Sequence, residues 1–579
     1  MVRCSSIALV AAATAALAGA PSAQADSAYG PGCDPSLPVT THHAGGRPAD
    51  GAPAPVVCAV ATGYDTSEST IAVTNAGTVL YSPAQTENSL TRSADDGASW
   101  NLTYPSDEQY TALWNTVDPQ IVVDWRTGRA FWIHATGQLR TAPVIVAGSP
   151  LPWEITTGVA YASGFQVYSS DDTRRWRTAD YSTSPMGDWE KVFAGPPPSP
   201  TTGPAQPSGY PDVVYACANS PFEVSGPGRL CYKSLDGGVT FTQAGYVFPS
   251  PGSPVDACPA LATNTGAVGN DGSIYQPVSC SQGAYVAVSH DEGATYSWFA
   301  VPKAPASSGL GGSLQIALDH ADNLYALWLA NDKLSLEVSR DGAKTWSKPM
   351  VVSAPGVKNI ELPAAAAGDR GQFGVVYYGS TETSPKAKTA YATESLDALA
   401  DDPVFASAPL NDTPHPIFTN YGFNDTPRAD YVGAAFDRSG TLWAGVVKQL
   451  GPPDAGSRVA TTGYVARLLP VSGAAPAAGG ASLSSAPRRA SACVAAARLV
   501  FRLGRVPGGR VVRAVVFVNG RRVLSARGRN LRKVSFARPA GARLVVRIVT
   551  TNNKHGRVIT VRRYRGCTRS RLTTRHVRH

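Results

Sequence analysis

An eight-residue motif recurs along this chain and constrains its fold more than any other feature. In outline it reads Ser-x-Asp-x-Gly-x-Thr-Trp. It occurs as Ser93-Ala-Asp95-Asp-Gly97-Ala-Ser99-Trp100, as Ser234-Leu-Asp236-Gly-Gly238-Val-Thr240-Phe241, and as Ser289-His-Asp291-Glu-Gly293-Ala-Thr295-Tyr296. A variant, Ser339-Arg-Asp341-Gly342-Ala-Lys-Thr345-Trp346, has its glycine shifted by one. A degraded copy, Ser169-Ser-Asp171-Asp-Thr173-Arg-Arg-Trp176, has Thr in place of Gly. The chemistry is that of a turn. Asp and Ser side chains bond nearby backbone N–H groups, and Gly permits positive φ. The closing aromatic packs beneath the turn and starts the next strand.

A second pattern surrounds the octapeptides. An apolar strand, a turn with Gly or Asp, and a strand containing an aromatic recur from near Glu68, Asp118, Asp212, Asp256, Ser313, Glu361 and Asp430. Turn residues between β-branched and aromatic runs are hairpin signals, and repetition at this scale means a radial or stacked array. The reading is an all-β propeller of six or seven blades, seven preferred because there are seven units. Pro196-Pro-Pro-Ser-Pro200 reads as an insertion loop between the second and third units. With 56 Gly and 46 Pro an all-helical fold is excluded, and the absence of a three-residue glycine period excludes collagen.

The octapeptides resemble the Asp-box, or BNR repeat, of sialidase-like β-propellers, and the resemblance spans about residues 58–470. In that family the boxes lie on the rim and are structural. This assigns turn roles to Ser93, Asp95, Gly97 and Trp100, to Ser234, Asp236 and Gly238, to Ser289, Asp291 and Gly293, and to Ser339, Asp341 and Trp346. The resemblance also implies a pocket near the axis with three carboxylate-clamping arginines, a Tyr nucleophile assisted by Glu, and an Asp acid/base. The sequence departs from that set. Of 15 arginines between residues 26 and 487, most lie in or beside boxes or in hairpin turns, and only Arg428 stands at an inner-strand entrance.

Acids stand there instead: Glu68, Asp118, Asp212, Asp256, Glu361 and Asp430 each lie at or just before an expected inner strand. Converging on one mouth, they form a ligand-binding ring able to hold Ca²⁺ through oxygen ligands or to supply a carboxylate pair for sugar hydrolysis. The alternative is that each caps a backbone turn. The catalytic candidates are Asp118, Glu361, Asp430, Tyr431 and Arg428. Neither HExxH nor GxSxG occurs, and no P-loop or dinucleotide fingerprint is present.

Charge divides the chain. Residues 488–579 hold 23 Arg, 2 Lys and no Asp or Glu, whereas residues 1–487 hold 26 basic and 42 acidic residues, so a −16 body carries a +25 end. The basic end alternates apolar and basic residues around Asn519-Gly520, a hairpin signal. It reads as a small Ig-like β-sandwich that binds an anionic wall polymer or other polyanion in a salt-dependent way. No nucleic-acid motif points to specific base reading.

Arg3, the apolar run Ile7 to Leu17 and Ala23-Gln24-Ala25 read as a signal peptide cut before Asp26. Cys4 leaves with it. The eight remaining cysteines suit an exported disulfide protein, with sequence neighbours paired as Cys33–Cys58, Cys217–Cys231, Cys258–Cys280 and Cys493–Cys567. The expected divisions are signal 1–25, leader 26–57, propeller 58–470, linker 471–490, sandwich 491–567 and disordered tail 568–579. The whole is read as a secreted or wall-associated monomer with no transmembrane segment. Its propeller binds an extracellular glycan or protein ligand. The alternatives are a glycoside hydrolase of the sialidase type and a non-catalytic structural surface protein.

Overall fold

The computed structural model describes residues 30–470 and 498–577, apart from 67, 83–89, 104–118, 141–159, 181–187, 199–206, 221–227, 249–263, 281, 307–313, 383–386, 412–415, 420–431, 452–459, 504–508, 519–520, 538–542, 555–556 and 566–567. Two compact units divide at residues 477 and 478.

The first unit is a seven-bladed β-propeller. The innermost strands of blades 1 to 7 are Thr70–Val73, Gln120–Val123, Asp188–Gly195, Ala267–Val268, Gln315–Leu318, Lys358–Ala367 and Gly433–Phe436. Each pairs with an antiparallel second strand, and third and fourth strands complete the sheet. Each inner strand touches the next, and that of blade 7 touches that of blade 1, so the ring closes. The inner strands all run one way along the channel. They therefore define an entrance end, where they begin, and an exit end, where they turn back.

Blades need apolar residues on both faces, because each packs between two neighbours. The second strands show this: Phe373–Ser380 (FGVVYYGS) is buried throughout, with Val375 and Tyr377 in the core shared with blade 5 and Val376 and Tyr378 in the core shared with blade 7. Truncating one such residue to Ala costs about 2–5 kcal/mol.

The N-terminal segment closes the ring. Val56–Ala61 pairs with Thr461–Leu469 as the fourth strand of blade 7, and Cys33–Asp34 adds outside it. Thr40–His43 extends blade 6 by pairing with Val404–Pro409. The stretch expected as a leader thus contributes strands to two blades. The pairings Cys33–Cys58 and Cys217–Cys231 are present. Cys280 is disulfide-bonded. Cys258, Cys493 and Cys567 lie outside the described residues.

Two inner strands differ from the sequence reading. In blade 3 the run after Asp212, Val213–Ser220, is the second strand; Asp188–Gly195 lies inside it. In blade 4 the inner strand is Ala267–Val268, which pairs with Tyr275 and Ile274. The reason is that an apolar run buried on both faces carries no mark of its rank from the axis. The proline run expected between the second and third units instead follows the inner strand of blade 3: Asp188–Gly195 leads directly into Pro196–Pro198.

The octapeptides join third to fourth strands in blades 1 to 5. In blade 4, Ser289 Oγ donates to Asp291 Oδ1 (2.8 Å) and accepts from Gly293 N (2.9 Å), while Thr295 donates from N (2.9 Å) and Oγ1 (2.6 Å) to the Asp291 carboxylate. The same bonds recur around Asp95, Asp236 and Asp341. In the degraded copy the register moves by one. Ser170 and Asp172 make the turn, and Asp171 instead receives Arg129 Nε and Nη2 (2.7 and 3.0 Å). Blade 7 has no such turn because its fourth strand arrives from the N-terminus.

In the second unit Arg498–Arg502 pairs with Lys533–Ala537. A five-stranded sheet is ordered Arg521–Arg527, Val511–Val518, Arg543–Asn552, Arg557–Arg565, Thr568–Val577. Phe501, Ala514, Val516, Val518, Val534, Val546 and Ile548 form its core. Residues 568–577, expected as a disordered tail, form its last strand, where Thr and Val favour extended backbone.

Candidate functional site

The seven inner strands surround a channel. A cavity of about 330 Å³ occupies its exit half and one of about 120 Å³ its entrance half. Its wall mixes apolar residues such as Ile71, Ile121, Ile316 and Ala365 with polar ones such as Gln120, Thr265 and Gln315.

Polar groups at the start of the inner strands bridge neighbouring blades. Gln120 accepts from Val192 N (2.6 Å) and donates to Thr265 Oγ1 (2.7 Å). Gln315, at the same place in blade 5, accepts from Ala365 N (3.2 Å) and donates to Pro363 O. Thr70 Oγ1 accepts from Ile121 N (3.2 Å), and Asn264 Nδ2 donates to Leu314 O (2.9 Å). The repeated Gln-Ile pair at 120–121 and 315–316 is a sequence signal for this clamp.

Buried charges gather at the entrance end of three blades. Glu68, 2% exposed, precedes the inner strand of blade 1. Glu190 and Lys191 lie on that of blade 3 and are buried; Lys191 Nζ sits 4.8 Å from the Trp189 ring centre. In blade 6, Glu361 Oε1 receives Lys388 Nζ at 2.8 Å, and Asn359 O accepts from the same nitrogen at 2.8 Å. Lys388 is wholly buried, and burial pushes its ammonium down to about 8.

The backbone is strained where these charges sit. Eleven described non-glycine residues have positive φ. Asp96, Thr173, Glu292 and Ala343 serve the octapeptide turns, and Asp322, Asn331 and Asp332 serve hairpins. The other four, Glu68 (44°), Trp189 (58°), Asn359 (49°) and Leu362 (48°), are at or within the inner-strand entrances of blades 1, 3 and 6. Register shifts accompany them in blades 3 and 6. Each such residue costs about 1–3 kcal/mol, and strain of this kind collects where function needs it.

The acids read from sequence therefore do not form one described ring. Glu68 and Glu361 are at the entrance end. Asp212 is not: it immediately precedes the second strand of blade 3 and faces the exit-end turn of blade 2, where Arg126 Nε lies 3.2 Å away. Burial first, and then the Asp124 carboxylate, push its carboxyl up to about 7. Asp118, Asp256, Arg428, Asp430 and Tyr431 lie outside the described residues. Glu190 escapes the sequence reading because that reading starts the third unit at Asp212, one strand too late. Among the described residues, no group of three or more His, Cys, Asp or Glu is placed to hold a metal ion.

At the exit end a second set of acids organises the inner hairpins. Asp124 accepts from Arg126 N (2.9 Å), Thr127 Oγ1 (2.8 Å) and the Tyr210 hydroxyl of blade 3. Asp319 accepts from Asn323 N (3.0 Å) and from Gly371 N of blade 6 (2.9 Å). Asp437 accepts from Thr441 N (3.1 Å) and Trp443 Nε1 (3.0 Å).

The fold is similar to that of sialidase β-propellers at low identity. The NanB sialidase from Streptococcus pneumoniae is 12% identical, with 71% of this chain and 70% of that chain covered and a TM-score of 0.36. The intramolecular trans-sialidase from Ruminococcus gnavus is 14% identical, with 71% and 96% covered and a TM-score of 0.35. The extracellular domain described as that of one component system BT4673 from B. thetaiotaomicron is 10% identical, with 89% and 57% covered and a TM-score of 0.37. No family model matches the chain. No curated protein matches it in sequence.

Proposed function

We propose that this is an exported propeller that binds an extracellular glycan or surface ligand at the entrance mouth, tethered by its polycationic second unit. The observation that carries the reading is the coincidence of strained backbone with buried charge at Glu68, Trp189–Lys191 and Asn359–Leu362. A propeller needs neither to close its ring. Disulfides fit an exported chain. Among the described residues no helix is long and apolar enough to cross a membrane. The tether reading rests on the second unit's composition, which has no acid to offset its arginines.

A second reading is a glycoside hydrolase of the sialidase type. Glu361 and Lys388 favour it, since a lysine held near 8 beside a carboxylate can exchange a proton near neutral pH. A glycan array and turnover of a fluorogenic sialoside, each with and without Ca²⁺, separate the readings. Glycan binding without turnover, weakened by Glu361→Gln, supports the binder. Turnover abolished by Glu361→Gln supports the hydrolase. Neither binding nor turnover, with the chain folded, overturns both and leaves a structural surface protein.

A further inference from the structure

Trp125 follows the inner strand of blade 2, yet it reaches the exit-end turn of blade 5. Its ring stacks on His320 with centroids 4.1 Å apart and planes at 24°. Two further blades hold its carbonyl: Asn75 Nδ2 of blade 1 donates to it at 3.2 Å and Arg438 Nη2 of blade 7 at 2.7 Å. His320 is fixed in turn. Its Nδ1 lies 2.9 Å from Asp369 Oδ1 of blade 6, and its carbonyl accepts from Asn270 Nδ2 of blade 4 at 3.1 Å. Contacts from five other blades thus place Trp125 and its stacking partner, and Trp125 is 40% exposed. Among the described residues only Leu450 is a comparably exposed large apolar side chain.

We propose that this exit mouth is a second carbohydrate site, which takes a neutral pyranose ring of a polysaccharide against Trp125. The proposal rests on the glycan-binder reading and assigns a site on the face opposite the entrance. The chemistry matches at three points. A rigid indole offers an apolar platform to the C–H face of a sugar at little entropic cost. Asn75, Asn270, His320 and Arg438 surround it with amide, imidazole and guanidinium groups for the hydroxyls. The adjoining cavity of about 330 Å³ falls within the range of ligand pockets, about 300–1,000 Å³. Neutrality follows from charge: the body carries 42 acidic against 26 basic residues up to position 487, which disfavours an anionic chain.

The test is affinity electrophoresis of the full exported chain in gels containing dextran, mannan or galactan, with melting curves for every variant. Trp125→Ala is expected to weaken retardation at least tenfold. Trp125→Phe, which keeps a ring on His320, and Arg438→Met are expected to weaken it about threefold with melting unchanged. These two variants decide the matter if Trp125→Ala fails to fold. Wild-type strength in Trp125→Phe and Arg438→Met alike overturns the exit site and leaves the binder reading standing. Wild-type chain that ignores all three polysaccharides yet binds an anionic glycan overturns the exit site alone. No glycan binding of any kind overturns both.

Discussion

Cys58 is bonded to Cys33 on one side and stands opposite Arg467 on the other. One residue therefore joins the start of the chain to the last blade made. The Arg467 guanidinium lies over the Trp443 ring at 5.2 Å and reaches Asp96 of blade 1 at 3.5 Å, so the seam is also bridged by side chains. Strand pairing there covers the edge that Thr461–Leu469 would otherwise present.

Replacing both Cys33 and Cys58 by Ser removes a cross-link of sequence separation 25. A loop of that size is worth about 3 kcal/mol. The expected outcome in thermal unfolding is a melting point lower by several degrees, with the fold retained at room temperature. Removing residues 30–61 takes away the fourth strand of blade 7 as well and is expected to abolish cooperative unfolding.

Asp291→Ala removes three bonds to one turn carboxylate. Burial works to raise the Asp291 pKa, but bonds from Thr295 and Ser289 outweigh it and hold the carboxyl below the usual range. The expected loss is about 1–3 kcal/mol by denaturant titration, with glycan binding unchanged. Asp236→Ala should cost a similar amount, because its turn makes the same bonds.

Buried acids set the pH dependence. Burial alone pushes Glu394 up to about 8, and burial opposed by Lys303 puts Glu337 at about 7. With Asp212 at about 7, three carboxyls hold their protons more tightly folded than unfolded. Their contribution is complete below the unfolded carboxyl range and is lost as pH rises through the folded values. The turn aspartates behave oppositely and lose theirs in strong acid. The melting temperature should therefore peak at about pH 4–6 and fall toward about pH 8. Glu394→Gln should flatten the alkaline side; an unchanged slope would refute the role of that residue.

The second unit sets arginines against each other. The strand register places Arg513 opposite Arg527, both exposed. Like charges directly opposite are destabilising, and a polyanion relieves them. Long-chain polyphosphate is expected to raise the melting temperature of residues 478–579 within the full chain, and added NaCl to reverse it. Deleting 488–579 should abolish salt-sensitive retention on anionic resin; unchanged retention would sink the tether.

Much of the fold was legible because its signals are local. An octapeptide turn is built from Ser-to-Asp and backbone bonds within four residues, so Ser289 and Asp291 declare it without help from the rest of the chain. The degraded copy misled by one position because two Ser and two Asp stand side by side, and only Arg129 on a neighbouring strand assigns Asp171 to a different partner.

The chain by itself determined that there are seven sheet units, where five of them begin, where the turns fall, and that the last hundred residues carry a separate charge. Tertiary structure alone decided which strand of blades 3 and 4 faces the channel. It also decided that Val56–Ala61 closes blade 7, that Asp212 belongs to the exit end while Glu190 belongs to the entrance, and that Trp125 meets His320. The physical reason is range. Turn chemistry is written in neighbouring residues, whereas a strand buried on both faces reads the same in any rank of a blade. Its distance from the axis is fixed only when the ring closes and every blade packs against two others.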